Sequence, residues 1–253
     1  MNKTSFSCVV PVKGERPFFA AAVKSLAGEK ARLEASGAGT LEIIVQDADV
    51  EPDRGQSDAL NRGFARATGE WLFWLNADDV LLKGALGKVA AAAAGGCEWI
   101  AGNTVVIDER GAAVKCVRGC GWHDWLFRRA VPHVGGPSAF FRRGLFSRAG
   151  GFDVSLDVCM DWDLWIKFMR AGAGYRRLGE YLWGFRRWRG SKTQRETGAE
   201  EARRHREEVE RMLAANGFRP TRAGKAALRL WKLISGVYAA AALDTLKMRG
   251  RAV

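Results

Sequence analysis

Apolar runs of strand character alternate with stretches of helical spacing along the first hundred residues. SFSCVVPV (5–12) and LEIIVQDA (41–48) have the β-branched, apolar content of buried strands. Between them, PFFAAAVKSLAGEKARLEAS (17–36) is rich in helix formers and carries Pro17 at a helix start. GQSDALNRGFARATG (55–69) sets Ala59, Leu60 and Phe64 at helical spacing and ends on Gly69, which predicts a C-cap. WLFWL (71–75) reads as a third strand and KGALGKVAAAA (83–93) as a third helix. This order predicts an α/β fold with a mostly parallel sheet flanked by helices. Such sheets bind ligands at the carboxyl ends of their strands, so Val12, Asp47 and Asp78 are expected to meet at one crevice.

The pattern changes after residue 97. EWIAGNTVVID and AAVKCVR flank ERG and predict a hairpin, GWHDWLFRRAV predicts a short helix, and GGPSAFFRRGLFSRAGGFD a strand, a short helix and a Gly-Gly turn. DWDLWIKFMRAG (161–172) predicts an amphipathic helix with Trp162, Trp165, Ile166 and Met169 on its apolar face. From Ser191 onward the chain is Arg/Glu-rich and helical in character. No internal repeat is present.

With 253 residues, 47% of them hydrophobic and ten tryptophans, the chain can bury a large core. Its five cysteines form no regular framework, which points to reduced thiols in a reducing compartment. Cys116 and Cys120 lack a second Cys/His pair at zinc spacing. No run reaches the roughly 20 apolar residues of a membrane span. The N-terminus lacks a signal-peptide pattern, so a cytoplasmic location is expected. Charge is uneven. Residues 1–169 balance 20 basic against 20 acidic side chains, while residues 170–253 carry 20 against 8, so the whole net charge of +12 lies in the final third. That end of the chain is suited to an anionic partner or to water.

The segment GEWLFWLNADD (69–79) runs from five apolar residues into two adjacent carboxylates, Asp78 and Asp79. Like charges at the end of a buried strand repel unless a cation or substrate separates them. For the dipeptide alone, a solvated acidic turn is the better explanation. The surrounding text decides between them, because EPDRGQSDALNRG, ATGE and LNADD together resemble the donor-site signature of glycosyltransferase family 2, the inverting GT-A enzymes that use nucleotide-sugars. PSAFFRRGLFSRAGGFD with MDWDLWIKFMRAG resembles the acceptor half of that family, and FRRWRGSKT its closing segment. The three blocks stand in family order over roughly residues 5–195.

The resemblance implies a GT-A fold, a Rossmann-like sheet flanked by helices, over residues 1–195, with a basic helical C-terminal extension over 196–253. It implies that Asp78 holds a divalent cation, Mn²⁺ or Mg²⁺, against the donor diphosphate. Asp79 either joins the metal or supports the turn. Donor contacts are implied for Pro11, Val12, Asp47, Asp58, Asn61, Asn76, Ala77, Arg186 and Lys192, and acceptor contacts for His133, Gly136 and Trp162. Asp161 falls on the family's general-base position. An N-cap duty would suit Asp161, Asp157 or Asp163 equally, and the resemblance selects Asp161. The chain departs from its relatives where Asp47 stands only four residues before Glu51-Pro52-Asp53. Lys13 stands in place of a base-stacking aromatic residue, and Trp188 in place of a histidine that joins the metal.

LISGVYAAAAL (233–243) is uncharged and flanked by Lys232, Lys247, Arg249 and Arg251. It suits an interfacial helix on an anionic membrane or a helix packed on its own domain. The expected partners are a nucleotide-sugar donor, a glycan or lipid-linked acceptor, and peripherally an anionic membrane surface. Two rival readings are a nucleotide-sugar-binding protein without turnover and a basic nucleic-acid-binding protein. The tail carries no nucleic-acid motif, so no nucleic acid is expected.

Overall fold

The computed structural model describes residues 3–120, 124–129, 134, 136–191 and 199–253. Strands β1 (Thr4–Val12) and β2 (Gly39–Asp47) bracket helix α1 (Phe19–Ala35), and helix α2 (Gln56–Arg66) leads to β3 (Trp71–Trp74). Next come β4 (Val80–Leu81), α3 (Ala85–Ala93), the hairpin β5 (Trp99–Ile107) and β6 (Ala113–Val117), and α4 (Asp124–Arg129). They are followed by β7 (Ala139–Arg142), α5 (Arg143–Arg148), α6 (Met160–Arg170) and β8 (Tyr175–Arg186). Helices α7 (Ala199–Ala215), α8 (Arg222–Ile234) and α9 (Val237–Met248) complete the chain.

One sheet runs β2-β1-β3-β7-β5-β8-β4, with β6 paired to β5. The strand–helix alternation of the first third produces its parallel part, β2-β1-β3. β7 then enters antiparallel between β3 and β5, and β5 and β8 pair in parallel. β8 has no counterpart among the sequence expectations. Its first half, YRRLGE, is largely polar and exposed, so it lacks the apolar run that marks a buried strand.

Side-chain alternation along the strands divides the core into two layers. Phe6, Cys8, Val10, Trp71 and Phe73 face α1 and α3, whereas Val9, Leu72, Trp74 and Phe141 face α2, α5 and α6. Trp165 of α6 stacks between Trp74 and Trp99, at centroid distances of 6.3 and 5.0 Å. The buried face of α6 is Met160, Asp163, Leu164, Trp165, Ile166 and Phe168, while Trp162 and Met169 are only half-buried. The expected stripe is thus rotated, because the helix packs on a wide aromatic layer and not along a narrow seam.

Two glycines serve close packing. A Cβ at Gly63 would stand 2.5 Å from Val9, so α2 lies directly on β1. Gly69 is not a C-cap: α2 ends at Arg66 with Ala67 as its cap, and a Cβ at Gly69 would meet the β1 backbone at Phe6. The segment expected as the extension does not behave as one piece. α7 places Met212, Leu213 and the following Phe218 in the main core, whereas α8 and α9 lie over α4 and β6.

Candidate active site

β1 and β3 run parallel, so their carboxyl ends open on the same side. There a cavity of about 1020 Å³ is lined by Pro11, Val12 and the loop 13–18, by Asn76, Ala77 and Asp78, and by Trp188. The short connection from β2 closes as a turn, with the amides of Val50 and Glu51 donating to the Asp47 carbonyl. Gly55, at φ 115°, then admits α2. No further helix or strand intervenes.

Asp78 lines the cavity. Its Oδ2 accepts from Trp188 Nε1 at 2.8 Å, and Oδ1 meets no donor among the described residues. Asp79 turns the other way and is fully buried. Its Oδ1 accepts from the Arg186 amide at 2.8 Å and its Oδ2 from Asn76 Nδ2 at 2.9 Å. Burial, and then the neighbouring Asp78 charge, raise its pKa well above the usual carboxylate range. The geometry gives Asp79 the turn-supporting alternative. Asn76 is clamped between Asp79 and Gln56, whose Nε2 donates to its Oδ1 at 2.9 Å.

Several expected donor contacts stand outside the cavity wall, each for a local reason. Asp47 accepts from Arg16 Nη1 and from the Asp49 amide, and so fastens the 13–18 loop that forms the wall. The Arg16 bond holds its carboxyl below the usual range. Asp58, in the first turn of α2, reaches back to accept from the Arg54 amide at 3.1 Å and pairs with Arg62 at 2.9 Å. Asn61 gives both ends of its amide to the backbone of Phe152, at 2.9 Å each way. Arg186 is buried beneath the site, with its guanidinium donating to the carbonyls of Asp78, Asp108 and Glu109 and lying over the Phe18 ring. None of these four lines the cavity. His133 and Lys192 lie outside the described residues.

Asp161 sits at the first turn of α6. Its Oδ1 accepts from the Trp162 amide at 2.9 Å, and its Oδ2 faces Gly136, where a Cβ would stand 2.9 Å away and 2.8 Å from Trp74. A side chain at 136 would displace the carboxylate, so glycine is needed for this approach. Desolvation pushes the Asp161 carboxyl up to about 7, against two backbone hydrogen bonds that lower it. Asp163 is instead buried in an ion pair with Lys167 at 2.8 Å. Asp161 is not on the cavity wall itself, but Asp157 and Val158, one turn ahead of it, are.

The arrangement joins a strand-end carboxylate facing a nucleotide-sized cavity to a second carboxylate poised near neutrality beside an aromatic layer. The sequence profile of glycosyl transferase family 2 matches residues 7–147, more than half of the chain. The chain belongs to this family. Glycosyltransferases of PGL/p-HBAD biosynthesis from Mycobacterium tuberculosis and Mycobacterium bovis are 33% identical to it over 143 residues, covering 54% of this chain and 51% of theirs. It therefore spans about half the length of these curated relatives. Among solved structures, TarS 1–349 of S. aureus in complex with UDP-GlcNAc aligns with a TM-score of 0.58 at 16% identity, covering 84% of this chain and 66% of TarS. The mannosyltransferase PcManGT from Pyrobaculum calidifontis, in complex with GDP-Man and Mn²⁺, aligns with a TM-score of 0.54 at 17% identity, covering 97% and 88%. These two likenesses show the fold, a GT-A fold.

Within the family frame, four participants were not legible in the sequence. Trp188, identified only as a departure, is the partner of Asp78 and meets Phe18 edge-on at 5.4 Å. Arg204, His205 and Glu208 of α7 complete the cavity wall. Glu208 also accepts from the amides of Val158 at 2.8 Å, and of Asp157 and Cys159 at 3.1 Å. It thereby holds the turn that leads into α6, whose N-cap residue, Cys159, offers no side-chain cap. The REEVER segment reads as a solvated helix, and no periodicity distinguishes Glu208 from its exposed neighbours. Only the fold does.

Proposed function

We propose that this chain transfers a sugar from a nucleotide-sugar to a hydroxyl of a glycan or lipid-linked acceptor, with inversion at the transferred carbon. The observation that carries the reading is the cavity at the ends of β1 and β3, with Asp78 on its wall and Asp161 nearby on α6. In this reading the donor lies along residues 11–18 and 76–78, with its diphosphate toward Asp78. Asp161 takes the proton from the acceptor hydroxyl as that oxygen attacks the sugar from the face opposite the leaving nucleotide.

Mn²⁺ or Mg²⁺ suits Asp78, which offers a hard carboxylate oxygen with no other partner among the described residues. No group of three potential His, Cys, Asp or Glu ligands stands among the described residues. Asp78 would therefore share the ion with the donor phosphates. When bound, the cation supplies neutralisation of charge on the departing diphosphate. A role on a lipid-linked acceptor, and peripheral contact with an anionic membrane, draw support from the basic, partly apolar tail. No single described helix is long and apolar enough to cross a membrane.

A second reading, donor binding without turnover, is favoured by the Trp188 bond that occupies one oxygen of Asp78. Thermal stabilisation across a panel of nucleotide-sugars, with and without Mn²⁺, followed by assay of released nucleoside diphosphate, separates the two. Metal-dependent stabilisation with release supports transfer. Stabilisation without release supports the binding reading, and no stabilisation by any nucleotide-sugar overturns both.

A further inference from the structure

The last two helices are anchored on one side and bare on the other. Leu228 of α8 packs with Cys120 and Leu126, and a Cβ at Gly224 would stand 2.0 Å from the Arg129 carbonyl, so α8 lies tightly on α4. On α9, Thr245 Oγ1 accepts from the Cys116 amide at 2.9 Å, and Asp244 takes hydrogen bonds from Arg118 and Tyr181. Beyond α9, the Gly250 amide donates to the Ala113 carbonyl. This docking leaves Leu230, Leu233 and Ile234 exposed at i, i+3 and i+4 on α8, and Leu243 and Leu246 at i and i+3 on α9. Ile234 and Leu246 are 75% and 74% accessible. The helices meet at 58° around Gly236, which holds the left-handed φ of 70° that glycine adopts without strain.

The charge on this segment has one sign. Arg222, Lys225, Arg229, Lys232, Lys247, Arg249 and Arg251 face a single acid, Asp244, and that acid is paired with Arg118. At the elbow between α8 and α9 is a second cavity, of about 290 Å³, whose lining includes Arg118, Arg177, Trp231, Ser235, Gly236 and Val237. Arg177 lines this cavity, and its buried Nε has no hydrogen-bond partner among the described residues. A buried guanidinium nitrogen left unmatched is costly unless a ligand completes it. The first turn of α9 opens at the same elbow with neither a side-chain cap nor an acidic residue, so its free amides add a second set of donors for an anion. Lys232 lies close enough to act electrostatically on Cys120, also on the wall.

We infer that this elbow seats the phosphate of an anionic phospholipid, while the exposed apolar stripe of α8 and α9 lies in the bilayer surface around it. The inference deepens the proposed encounter with a membrane-borne acceptor and rests on that reading. A phosphate diester fits the site by charge and by the planar donor set of Arg177. The stripe beside it gives the acyl chains of the same lipid an apolar surface. The docking of both helices on α4 and β6 suits helices lying in the interface.

The test uses the full chain with phosphatidylcholine vesicles, with and without phosphatidylglycerol, followed by co-sedimentation. Binding is expected only with phosphatidylglycerol. Lys225→Gln on the open surface should weaken it about fivefold, the contribution of one basic group near a membrane, and Arg177→Gln by more, because it also removes the donors of the seat. Leu233→Ser with Ile234→Ser should weaken binding while leaving the preference for phosphatidylglycerol. Thermal midpoints of the variants within a few degrees of the parent chain confirm that the fold is kept. Equal losses for Arg177→Gln and Lys225→Gln overturn the seat, with the membrane reading standing on diffuse charge. Failure of the full chain to bind either vesicle at low salt overturns both. Stabilisation by inorganic phosphate that Arg177→Gln abolishes, without vesicle binding, assigns the site to a soluble anion and overturns the lipid. Dimerisation through the stripe in solution does the same.

Discussion

The indole of Trp188 donates to Oδ2 of Asp78 at 2.8 Å, tying the loop after β8 to the carboxylate that follows β3. One oxygen of Asp78 is thus fixed in direction, and the other meets no donor among the described residues. Asp78→Asn is expected to abolish Mn²⁺-dependent stabilisation by nucleoside diphosphate while leaving the unliganded thermal midpoint within a few degrees of the parent chain. Trp188→Phe keeps the ring against Phe18 but releases Oδ2, and should change the Mn²⁺ concentration needed for half-maximal stabilisation. Unchanged Mn²⁺ dependence in Asp78→Asn would falsify the assignment.

Asp161 makes a pH prediction. With its carboxyl pushed up to about 7 by desolvation, the fraction ready to accept a proton grows through neutrality. In the proposed transfer, kcat/KM should therefore rise with pH and level off above about 7. Asp161→Asn should lose about 10²–10⁴ in transfer and still be stabilised by donor. The stability effect has the opposite sign. The folded state holds this proton more tightly than the unfolded chain, so the contribution is full below the unfolded pKa and is lost as pH rises through the folded one. Between pH 5 and 8 the parent chain should lose thermal stability relative to Asp161→Asn. Near-parent transfer by Asp161→Asn, with transfer lost in Asp163→Asn, would move the base to Asp163.

Asn61 is expected to matter for stability and not for the donor. Its amide satisfies both the N–H and the C=O of Phe152, across 91 residues of chain. Asn61→Ala leaves those backbone groups unmatched at a cost of about 1–3 kcal/mol, measured by urea unfolding. The donor concentration for half-maximal stabilisation should stay put. A tenfold rise in that concentration with no change in unfolding would restore Asn61 to the donor site.

What could be read in the chain depended on how locally it was encoded. β1, β3 and α2 announce themselves because alternation and helical spacing are written in consecutive residues. Asp78 was singled out by the resemblance, and the fold places it on the cavity wall. Asn61, Asp58 and Arg186 carry the same polar chemistry as ligands, and only the fold shows that backbone groups and an ion pair already occupy them. β8 hides because its polar first half pairs with β5 from 76 residues away, at Ala101 and Arg177. Trp188 and Glu208 were missed for one reason. Each acts on a residue distant in sequence, and neither sits in a pattern that local spacing can mark.

Glu208 is the sharpest case. α6 begins at Met160, and its N-cap residue Cys159 offers no side-chain cap, so the turn before it is held from elsewhere. The Glu208 carboxylate, from α7, accepts from the amides of Asp157, Val158 and Cys159, the turn that leads into the helix. Burial raises its pKa, but the Val158, Asp157 and Cys159 amides outweigh that and bring it below the usual glutamate range. The bond to the charged form is thus present above the unfolded pKa and lost as pH falls through the folded one, so acid should loosen the start of α6. Glu208→Gln keeps one carbonyl acceptor but loses the charge and the second oxygen, at a cost of about 1–3 kcal/mol. Asp161 follows within a turn of these amides, and a looser first turn spreads the positions of its carboxylate. The expected result is a fall in kcat for transfer larger than any change in donor affinity, with the acid limb of the stability profile flattened. Glu208→Asp should recover part of both. If Glu208→Gln lowers thermal stability yet leaves kcat intact, the aromatic layer under Trp165 alone holds Asp161 in place, and the Glu208 contact is structural only.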